Sequence, residues 1–240
     1  MRRAFFLYRI LVFGSILSWL FPPRCAICDQ IGRASLCEDC RKLCESASQP
    51  MLSFEQGHQD LEARISTLRY EGPIRTAVLR FKHSRVTALG APLARLLAEA
   101  YATYEPATKP DVILPVPIHW RRWCVRGFNQ AEWLCKELPQ EKVVKNLVRR
   151  VRYTRYQFRL SPAERESNLK NAFQVHSMEG KRVLLIDDIY TTGATARELA
   201  RTVKAAGATW VGILTLAVAE LDSEKKKGHP LKVPPGSSND

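Results

Sequence analysis

Four cysteines near the N-terminus have the spacing of a metal site. Cys25 with Cys28 and Cys37 with Cys40 form two C-x-x-C pairs, with eight residues between the pairs. Four thiolates around zinc make a closed tetrahedral site, which stabilises a small fold and leaves no coordination position for catalysis. The same thiols could instead serve redox chemistry or hold an iron–sulfur cluster. Cys44 could replace Cys40 as a metal ligand. The pattern predicts a structural zinc ribbon with four cysteine ligands.

A second stretch, residues 183–195, joins an apolar run to an acidic pair and a loop of small residues. In an open α/β sheet, ligands bind at the carboxyl ends of strands, where a helix N-terminus offers unpaired N–H groups to an anion. The adjacent carboxylates of Asp187 and Asp188 would repel a phosphate unless they bind sugar hydroxyls or Mg²⁺. A capped helix start is the structural alternative. The whole pattern favours a site for a sugar phosphate. Hydroxyl groups that could donate to the phosphate are present at Thr191, Thr192 and Thr195.

The elements that must position these residues alternate between strands and helices. Helices are predicted at 88–101, 127–138, 161–172 and 194–206, and strands at 111–114, 143–148, 183–186 and 210–218. Such alternation indicates an α/β fold with a parallel sheet covered by helices on both faces. We expect four regions, which are an apolar helix at 1–23, the zinc ribbon and a linker at 24–60, the α/β domain at 61–221 and a disordered tail at 222–240.

The N-terminal apolar run, residues 10–21, resembles part of a signal peptide but has no small-residue cleavage site after it. It is shorter than the roughly 20 residues that span a bilayer. Its apolar positions recur at helical spacing, which predicts a short helix packed on the domain. With Arg2, Arg3 and Arg9 it could instead anchor the chain peripherally on the inner membrane face. We therefore expect a cytoplasmic protein.

The charge of the chain points to an acidic partner. The formal net charge is +13, and residues 121–170 contain thirteen Lys and Arg against five Glu. A basic surface of this kind is typical of proteins that bind nucleic acids, phosphorylated metabolites or anionic membranes. The seven cysteines are odd in number and unevenly placed, which does not indicate a secreted disulfide framework. Cys124 and Cys135 are expected to be buried thiols.

Residues 183–195 resemble the phosphoribosyl diphosphate (PRPP) signature of type I phosphoribosyltransferases. The chain as a whole is similar to one branch of that superfamily, the competence protein F (ComF) or DNA utilisation family. The supporting motifs, besides the paired cysteines, are Tyr70-Glu71-Gly72-Pro73, Phe81-Lys82-His83, Pro115-Val116-Pro117, Arg126-Gly127-Phe128-Asn129-Gln130-Ala131, and Gln157-Phe158-x-Leu160 leading to Arg165 and Asn168. The resemblance implies a type I phosphoribosyltransferase-like doubly wound parallel sheet with a small N-terminal zinc ribbon.

The resemblance also implies roles for particular residues. Asp187 and Asp188 would hold the ribose hydroxyls, and Arg126 would act on the diphosphate leaving group together with Mg²⁺. A mobile loop at 152–159 would close over the substrate. The 5′-phosphate would be wrapped by Tyr190, Thr191, Thr192, Gly193, Ala194 and Thr195. The pyrophosphate loop would begin with Pro115-Val116-Pro117, with Pro117 at the site and His119, Arg121 and Arg122 as further candidates.

Two functions remain open from the sequence. One is transfer of the phosphoribosyl group to an unknown acceptor in DNA uptake or utilisation. The other is a nonenzymatic competence factor that binds single-stranded DNA and uses the PRPP site as a ligand sensor, alongside other DNA-uptake proteins. Aromatic residues interleave with arginines, as in single-strand binding proteins, at Trp120, Trp123, Tyr153, Tyr156 and Phe158. Phe128 is expected in the core.

Overall fold

The computed structural model describes residues 24–32, 36–54, 60–83, 89–152 and 169–219. After the first cysteine pair, helix α1 (Glu38–Ser46) leads into strands β1 (Ser48–Phe54) and β2 (Ala63–Arg69). Helices α2 (Gly72–His83) and α3 (Gly90–Thr108) and strand β3 (Val112–Pro115) follow. Two short helices, α4 (Trp120–Arg126) and α5 (Gln130–Leu134), precede a 3₁₀ turn at Cys135–Glu137. The chain continues as β4 (Val148–Arg150), β5 (Phe173–Val175), β6 (Arg182–Tyr190), α6 (Ala194–Ala205) and β7 (Trp210–Val218).

Five strands form the main sheet in the order β1-β2-β7-β6-β3. The pairings β2–β7, β7–β6 and β6–β3 are parallel, and the edge strand β1 is antiparallel to β2. Strands β4 and β5 form a separate antiparallel pair. The sheet is therefore mixed but mostly parallel, and the carboxyl ends of β3 and β6 lie side by side.

Both faces of the sheet are covered, as a doubly wound fold requires. Successive residues of β6 alternate between two hydrophobic clusters: Leu184 and Ile186 belong to the cluster that includes residues of α2 and α3, and Val183 and Leu185 to the cluster that includes residues of α6. All four are fully buried, with at most 1% exposure. Burial of each such side chain contributes about 1.5–3 kcal/mol, so β6 is stabilised from both faces of the sheet.

Two predictions about extended segments are wrong. The segment at 45–60, expected to be a linker, includes the end of α1 and the seven-residue strand β1. Strand β1 lies at the edge of the sheet, where a strand pairs on one side only and can carry polar residues. The strand predicted at 143–148 is reduced to an isolated bridge between Ile113 and Val143 and to the first residue of β4. Residues 145–147 between the bridge and β4 form a bend.

The helices match the sequence predictions only in part. Helix α3 continues to Thr108, seven residues beyond the expected end, and the helix predicted at 127–138 begins only at Gln130 because Gly127 adopts a left-handed φ of 83°. Strand β6 is longer than the apolar run and carries Asp187 and Asp188 within it. Strand β7 and helix α6 lie where they were predicted, within one residue.

Several predictions fall outside the described residues. These are the helix at 1–23, most of the mobile loop at 152–159, most of the helix at 161–172 and the tail at 222–240. Among the helices in the described ranges, none combines the length and apolar character that spanning a bilayer requires.

Candidate functional site

A cleft of about 270 Å³ opens at the carboxyl ends of β3 and β6. One side is the end of β6 with the loop and helix that follow it, and the other is formed by residues from α2, the loop after β3, α4, α5 and β4. Of the residues predicted for the site, those lining the cleft are Asp187, Asp188, Arg122, Arg126, Pro117, Tyr190, Thr191, Gly193, Ala194 and Thr195. The fold thus brings together residues that are up to 78 positions apart in the chain.

The loop between β6 and α6 depends on a glycine. Gly193 has a left-handed φ of 71°, and a Cβ there would lie 2.2 Å from the Tyr190 hydroxyl and 2.6 Å from Nη1 of Arg197. Gly193 is also the residue before α6 and has no side chain that could cap the helix, and the first turn of α6 borders the cleft. The Thr192 hydroxyl and Nε of Arg197 are buried and have no hydrogen-bond partner among the described residues. The N-terminus of α6 at the cleft fits an anion such as a phosphate.

The two acidic residues have different surroundings. Asp188 is 5% exposed and forms an ion pair with Lys82 of α2, whose Nζ lies 2.9 and 3.1 Å from its two carboxylate oxygens. Asp187 accepts the backbone N–H of Asp188 at 2.9 Å. Burial of its carboxyl, reinforced by the neighbouring charge of Asp188, raises the pKa of Asp187 to about 7, although Lys82 and Arg150 oppose the rise.

The motif at 126–131 forms the short connection between helices α4 and α5. Gly127 ends α4 in a left-handed conformation, and a Cβ at this position would have no atom within 4 Å, so the glycine is needed for its φ and not for close backbone approach. Asn129 begins α5 by accepting the Ala131 N–H and donates to the Val116 carbonyl. Phe128 packs between the rings of Phe81 and Trp133, each 5.6 Å away, as its predicted core position requires.

Arg126 and Gln130, from the same motif, form one wall of the cleft. The buried Arg126 donates from Nη1 to the Gln130 side chain at 3.2 Å, and the Gln130 amide donates to the Lys82 carbonyl at 3.3 Å. Arg122 and Arg150 also line this wall. Burial, together with the neighbouring Arg122 charge, lowers the pKa of Arg150 to about 10, so that it remains cationic at neutral pH. Four cationic side chains therefore face two acidic ones.

His119 and Thr192 do not line the cleft, and neither does Arg121, a further candidate from the sequence. His119 is buried and its Nδ1 accepts the Arg121 N–H, which makes it the N-terminal cap of α4. Burial lowers its pKa, as do the charges of nearby arginines. Thr192 lies in the loop but is not part of the cleft surface. The roles predicted for these residues stay predictions.

Sequence reasoning assigned no role to Lys82, Gln130 and Arg150. Lys82 and Gln130 lie in motifs that were recognised, but nothing local in either motif indicates that its side chain meets Asp188 or Arg126. Arg150 is one of several arginines in the basic segment. The alternation along β4, with Arg149 exposed and Arg150 partly buried, could have singled it out had the strand been recognised.

The four predicted cysteine ligands form a compact group. The Sγ atoms of Cys25, Cys28, Cys37 and Cys40 all lie within 4.8 Å of one another. A tetrahedral site with Zn–S bonds of about 2.3 Å has S···S edges of about 3.8 Å, and the Cys28 and Cys37 sulfurs are 3.8 Å apart. Cys44 is buried outside this group.

The surroundings of Cys25 favour the thiolate form that binds metal, whereas burial and the neighbouring cysteines raise the pKa of the Cys40 thiol. Burial alone would raise the pKa of the Cys25 thiol, but N–H donors from Cys28, Cys37 and Ile27 outweigh it and lower the pKa to about 6. The residues present thus fit a structural zinc ion. The expectation that Cys124 is buried is wrong, because it lies on the exposed side of α4, whereas Cys135 is buried as predicted.

Comparisons with known proteins agree with both parts of the site. Residues 84–235 match the family described as phosphoribosyl transferase domain, and residues 16–51 match the double zinc ribbon domain. The DNA utilization protein YhgH of Salmonella typhimurium is 32% identical over 201 residues, which are 80% of this chain and 88% of the relative. Competence protein F of Haemophilus influenzae is 35% identical over 162 residues, 62% of this chain and 70% of the relative. A solved purine phosphoribosyltransferase from Pyrococcus horikoshii is 25% identical and covers 54% of this chain and 73% of its own, with a TM-score of 0.33.

Proposed function

Because this chain belongs to the phosphoribosyl transferase domain family, and within it to the DNA utilisation and competence F group, we propose that its cleft binds PRPP with Mg²⁺ in a protein that acts in DNA uptake or utilisation. The observation that carries the proposal is the charge arrangement of the cleft. The carboxylate pair and the N-terminus of α6 stand on one side, and Lys82, Arg122, Arg126 and Arg150 on the other. A sugar that carries phosphate groups at two ends matches both sides.

PRPP would lie across the cleft, with its phosphate groups against hydrogen-bond donors and cations and its ribose hydroxyls against the carboxylates. The 5′-phosphate would accept N–H groups from residues 191–195 at the start of α6, where the helix dipole favours an anion. The ribose hydroxyls would donate to Asp187 and Asp188. The diphosphate would then face Arg126 and the other cationic side chains, which form charge-assisted hydrogen bonds with phosphate oxygens.

Lys82 would change partner when the ligand arrives. In the structure its ammonium group neutralises Asp188, which is nearly buried. When a ribose hydroxyl takes up one carboxylate oxygen, the ammonium can share its donors with the diphosphate. Lys82 would thereby keep Asp188 ionised in the empty site and contribute to anion binding in the filled one.

Transfer of the phosphoribosyl group is the reaction that this arrangement would serve. An acceptor nucleophile would form a bond to C1 of the ribose while the bond to the diphosphate breaks, and the diphosphate would leave with the bonding electron pair. Mg²⁺ would neutralise charge on the leaving diphosphate. Arg126 and Arg150 would stabilise the same charge from the protein side, since preorganised cations act most strongly in a water-poor site.

The direct test is a calorimetric titration of the zinc-loaded protein with PRPP, with and without Mg²⁺. We expect saturable binding that is stronger with Mg²⁺, and we expect ribose 5-phosphate to bind more weakly because it lacks the diphosphate. Release of pyrophosphate on adding candidate acceptors would identify an enzyme. Binding without release would leave a PRPP-responsive protein, and absence of binding would refute the assignment of the cleft.

A second candidate function, binding of single-stranded DNA, is favoured by one surface. Trp120 and Trp123 on α4 are 62% and 55% exposed, and the Arg121 guanidinium lies 5.4 Å from the centre of the Trp120 ring. Exposed aromatic rings beside cations can stack on bases while the cations neutralise phosphates. Contact with other DNA-uptake proteins would use the same exposed face.

Fluorescence anisotropy with a labelled oligonucleotide tests this second function. Replacing Trp120 and Trp123 by alanine should weaken single-strand binding while PRPP binding is kept, and Val125→Ala on the same helix is the matched control for loss of exposed apolar surface. The logarithm of the affinity should fall linearly with the logarithm of salt concentration. Preference for duplex DNA, or no effect of the tryptophan changes, would contradict this function for α4.

A further inference from the structure

One arginine of helix α2, Arg80, makes hydrogen bonds to the zinc ribbon. Arg80 donates from Nη1 and Nη2 to the two carboxylate oxygens of Asp29, at 2.9 and 2.6 Å. The same Nη1 donates to the Ala26 carbonyl at 3.2 Å. Ala26 lies between the first two cysteine ligands and Asp29 directly follows the second. Arg80 therefore clamps the turn that carries half of the zinc site.

The ribbon and the α/β domain also share a hydrophobic core. One cluster of buried residues contains Cys25, Ala26, Ile27, Leu36, Cys40 and Cys44 of the ribbon together with Ile74, Ala77, Val78 and Phe81 of α2. Ile27 is 8% exposed and Phe81 is fully buried. Since apolar burial supplies most of the stabilisation in such contacts, the ribbon is held against α2 along the helix and not only by the ion pair.

The opposite side of the same helical turn reaches the cleft. Lys82, two residues beyond Arg80, makes the ion pair with Asp188, and its carbonyl accepts the Gln130 amide that is linked to Arg126. Phe81 between them packs on Phe128, at 5.6 Å between ring centres. One turn of helix is thus bonded to the zinc-binding turn on one side and to both cleft walls on the other.

We propose that the last turn of α2 couples the zinc ribbon to the ligand cleft, with Arg80 as a positioning residue that acts through Lys82. This inference rests on the proposed binding of PRPP at the cleft. When the four thiolates hold zinc, the turn at 25–29 is rigid and Arg80 fixes the end of α2, so that Lys82 stands at Asp188. When the metal is lost, the clamp loses its rigid partner and the end of the helix, which has few internal hydrogen bonds, frays.

The coupling must act in both directions. If zinc in the ribbon favours PRPP in the cleft, then PRPP must by linkage stabilise the zinc-loaded ribbon by the same factor. An exposed ion pair by itself contributes little to stability, and the Asp29 side chain is 60% exposed. We therefore expect the Arg80 contacts to orient Lys82 and to leave most of the docking strength to the apolar core.

Calorimetry on the full zinc-loaded chain tests the role of Arg80. Arg80→Ala should weaken Mg²⁺–PRPP binding about fivefold, a change typical of coupling between sites, while the chain keeps its zinc. Arg80→Lys should restore part of the loss, since one donor can still reach Asp29. The matched control is Arg75→Ala, an exposed arginine on the same helix that forms no ion pair within the described ranges. This variant should bind Mg²⁺–PRPP with the affinity of the unmodified protein.

A double-mutant cycle tests whether Arg80 acts through Lys82. In a Lys82→Ala background, Arg80→Ala should cause little further loss of affinity, because the side chain that it positions is gone. Equal losses in both backgrounds would overturn the proposed route. Asp29→Asn approaches the same contact from the ribbon, and asparagine tolerates the left-handed φ of 62° at that position. It provides an independent variant if Arg80→Ala folds poorly.

The rate of zinc release, measured with a colorimetric chelator, does not depend on any reaction in the cleft. Mg²⁺–PRPP should slow zinc release several-fold from the unmodified protein and from Arg75→Ala, but not from Arg80→Ala. Normal PRPP affinity in Arg80→Ala with unchanged ligand protection of zinc would overturn the coupling and leave PRPP binding standing. Failure of the unmodified protein to bind PRPP would instead refute the proposed function and, with it, this inference.

Discussion

The two walls of the cleft are built in different ways. Residues 187–195 form one wall from a single stretch of chain, in which a strand ends, a left-handed glycine turns the backbone and a helix begins. The opposite wall takes one or two side chains each from α2, α4, α5 and β4. A change in the first wall disturbs backbone donors together, whereas a change in the second removes one side chain among several. The first wall should therefore be the less tolerant of substitution.

The largest effect is expected from Asp187→Asn combined with Asp188→Asn. Two carboxylates that would accept the ribose hydroxyls are lost, and we expect PRPP affinity to fall by at least about 100-fold, or about 2.7 kcal/mol. The measurement is calorimetry with Mg²⁺ present. Lys82 loses its partner in this variant, so thermal unfolding must accompany the titration, and a loss of about 1–3 kcal/mol in stability is expected. Undiminished PRPP affinity would remove the acidic pair from the site.

Gly193→Ala should come next, with a loss of PRPP affinity of about tenfold or more, about 1.4 kcal/mol. The new methyl group would collide with the Tyr190 hydroxyl and with Arg197, and so would displace the loop. The matched control is Gly180→Ala, because Gly180 has nearly the same φ, 69°, but open space around its Cβ position and no place in the cleft. Both variants should lose about 1–2 kcal/mol of stability from the left-handed backbone. Only Gly193→Ala should lose affinity.

A smaller effect, a fall of about fivefold in PRPP affinity or about 1 kcal/mol, is expected from Arg150→Ala. Arg122, Arg126 and Lys82 remain on the same wall and compensate in part. Arg149→Ala, on the exposed side of the same strand, is the control and should bind normally. If Arg150→Ala proved as damaging as Gly193→Ala, the contrast between the two walls would be wrong.

The smallest predicted effect is a pH dependence of stability from Asp187. Its pKa is about 7 in the folded protein and about 3.9 in an unfolded chain. Between these values the folded state keeps a proton that the unfolded chain releases, so the free energy of unfolding should fall as pH rises through this window and level off above pH 7. The charged groups that act on this carboxyl are Asp188, Lys82 and Arg150.

Urea unfolding at pH 5 and pH 8 measures this contribution. The unmodified protein should lose more stability between these two values than Asp187→Asn, which cannot titrate at that position. Binding of PRPP should favour the ionised form of Asp187 and so release a proton, which calorimetry in buffers of different ionisation enthalpy detects. Equal pH dependence in the two proteins would show that Asp187 is already ionised at pH 5.

The family, the cysteine group that fits zinc, and the loop that we propose to bind phosphate could all be predicted from the sequence. In each case the residues are close together in the chain and their chemistry depends on local backbone geometry. Paired thiols two residues apart meet around one metal wherever the ribbon lies, and a strand followed by a glycine and a helix exposes N–H groups in any parallel sheet. The same reasoning failed for β1, because an edge strand needs little apolar patterning to pair on one side.

The rest of the cleft could not be predicted from the sequence. Lys82 and Asp188 are more than one hundred residues apart and meet only because α2 lies against the end of β6. The imidazole of His119 could bind a ligand, but in the structure it caps the N-terminus of α4.

Local sequence therefore determined which chemical groups this protein carries and which of them lie close together along the chain. Only the tertiary structure decided which of those groups share a cleft, and that one turn of α2 touches both the zinc ribbon and the cleft. The physical reason is that capping, turns and metal chelation depend on neighbours along the chain, whereas the order of strands and the docking of helices depend on burial summed over the whole core.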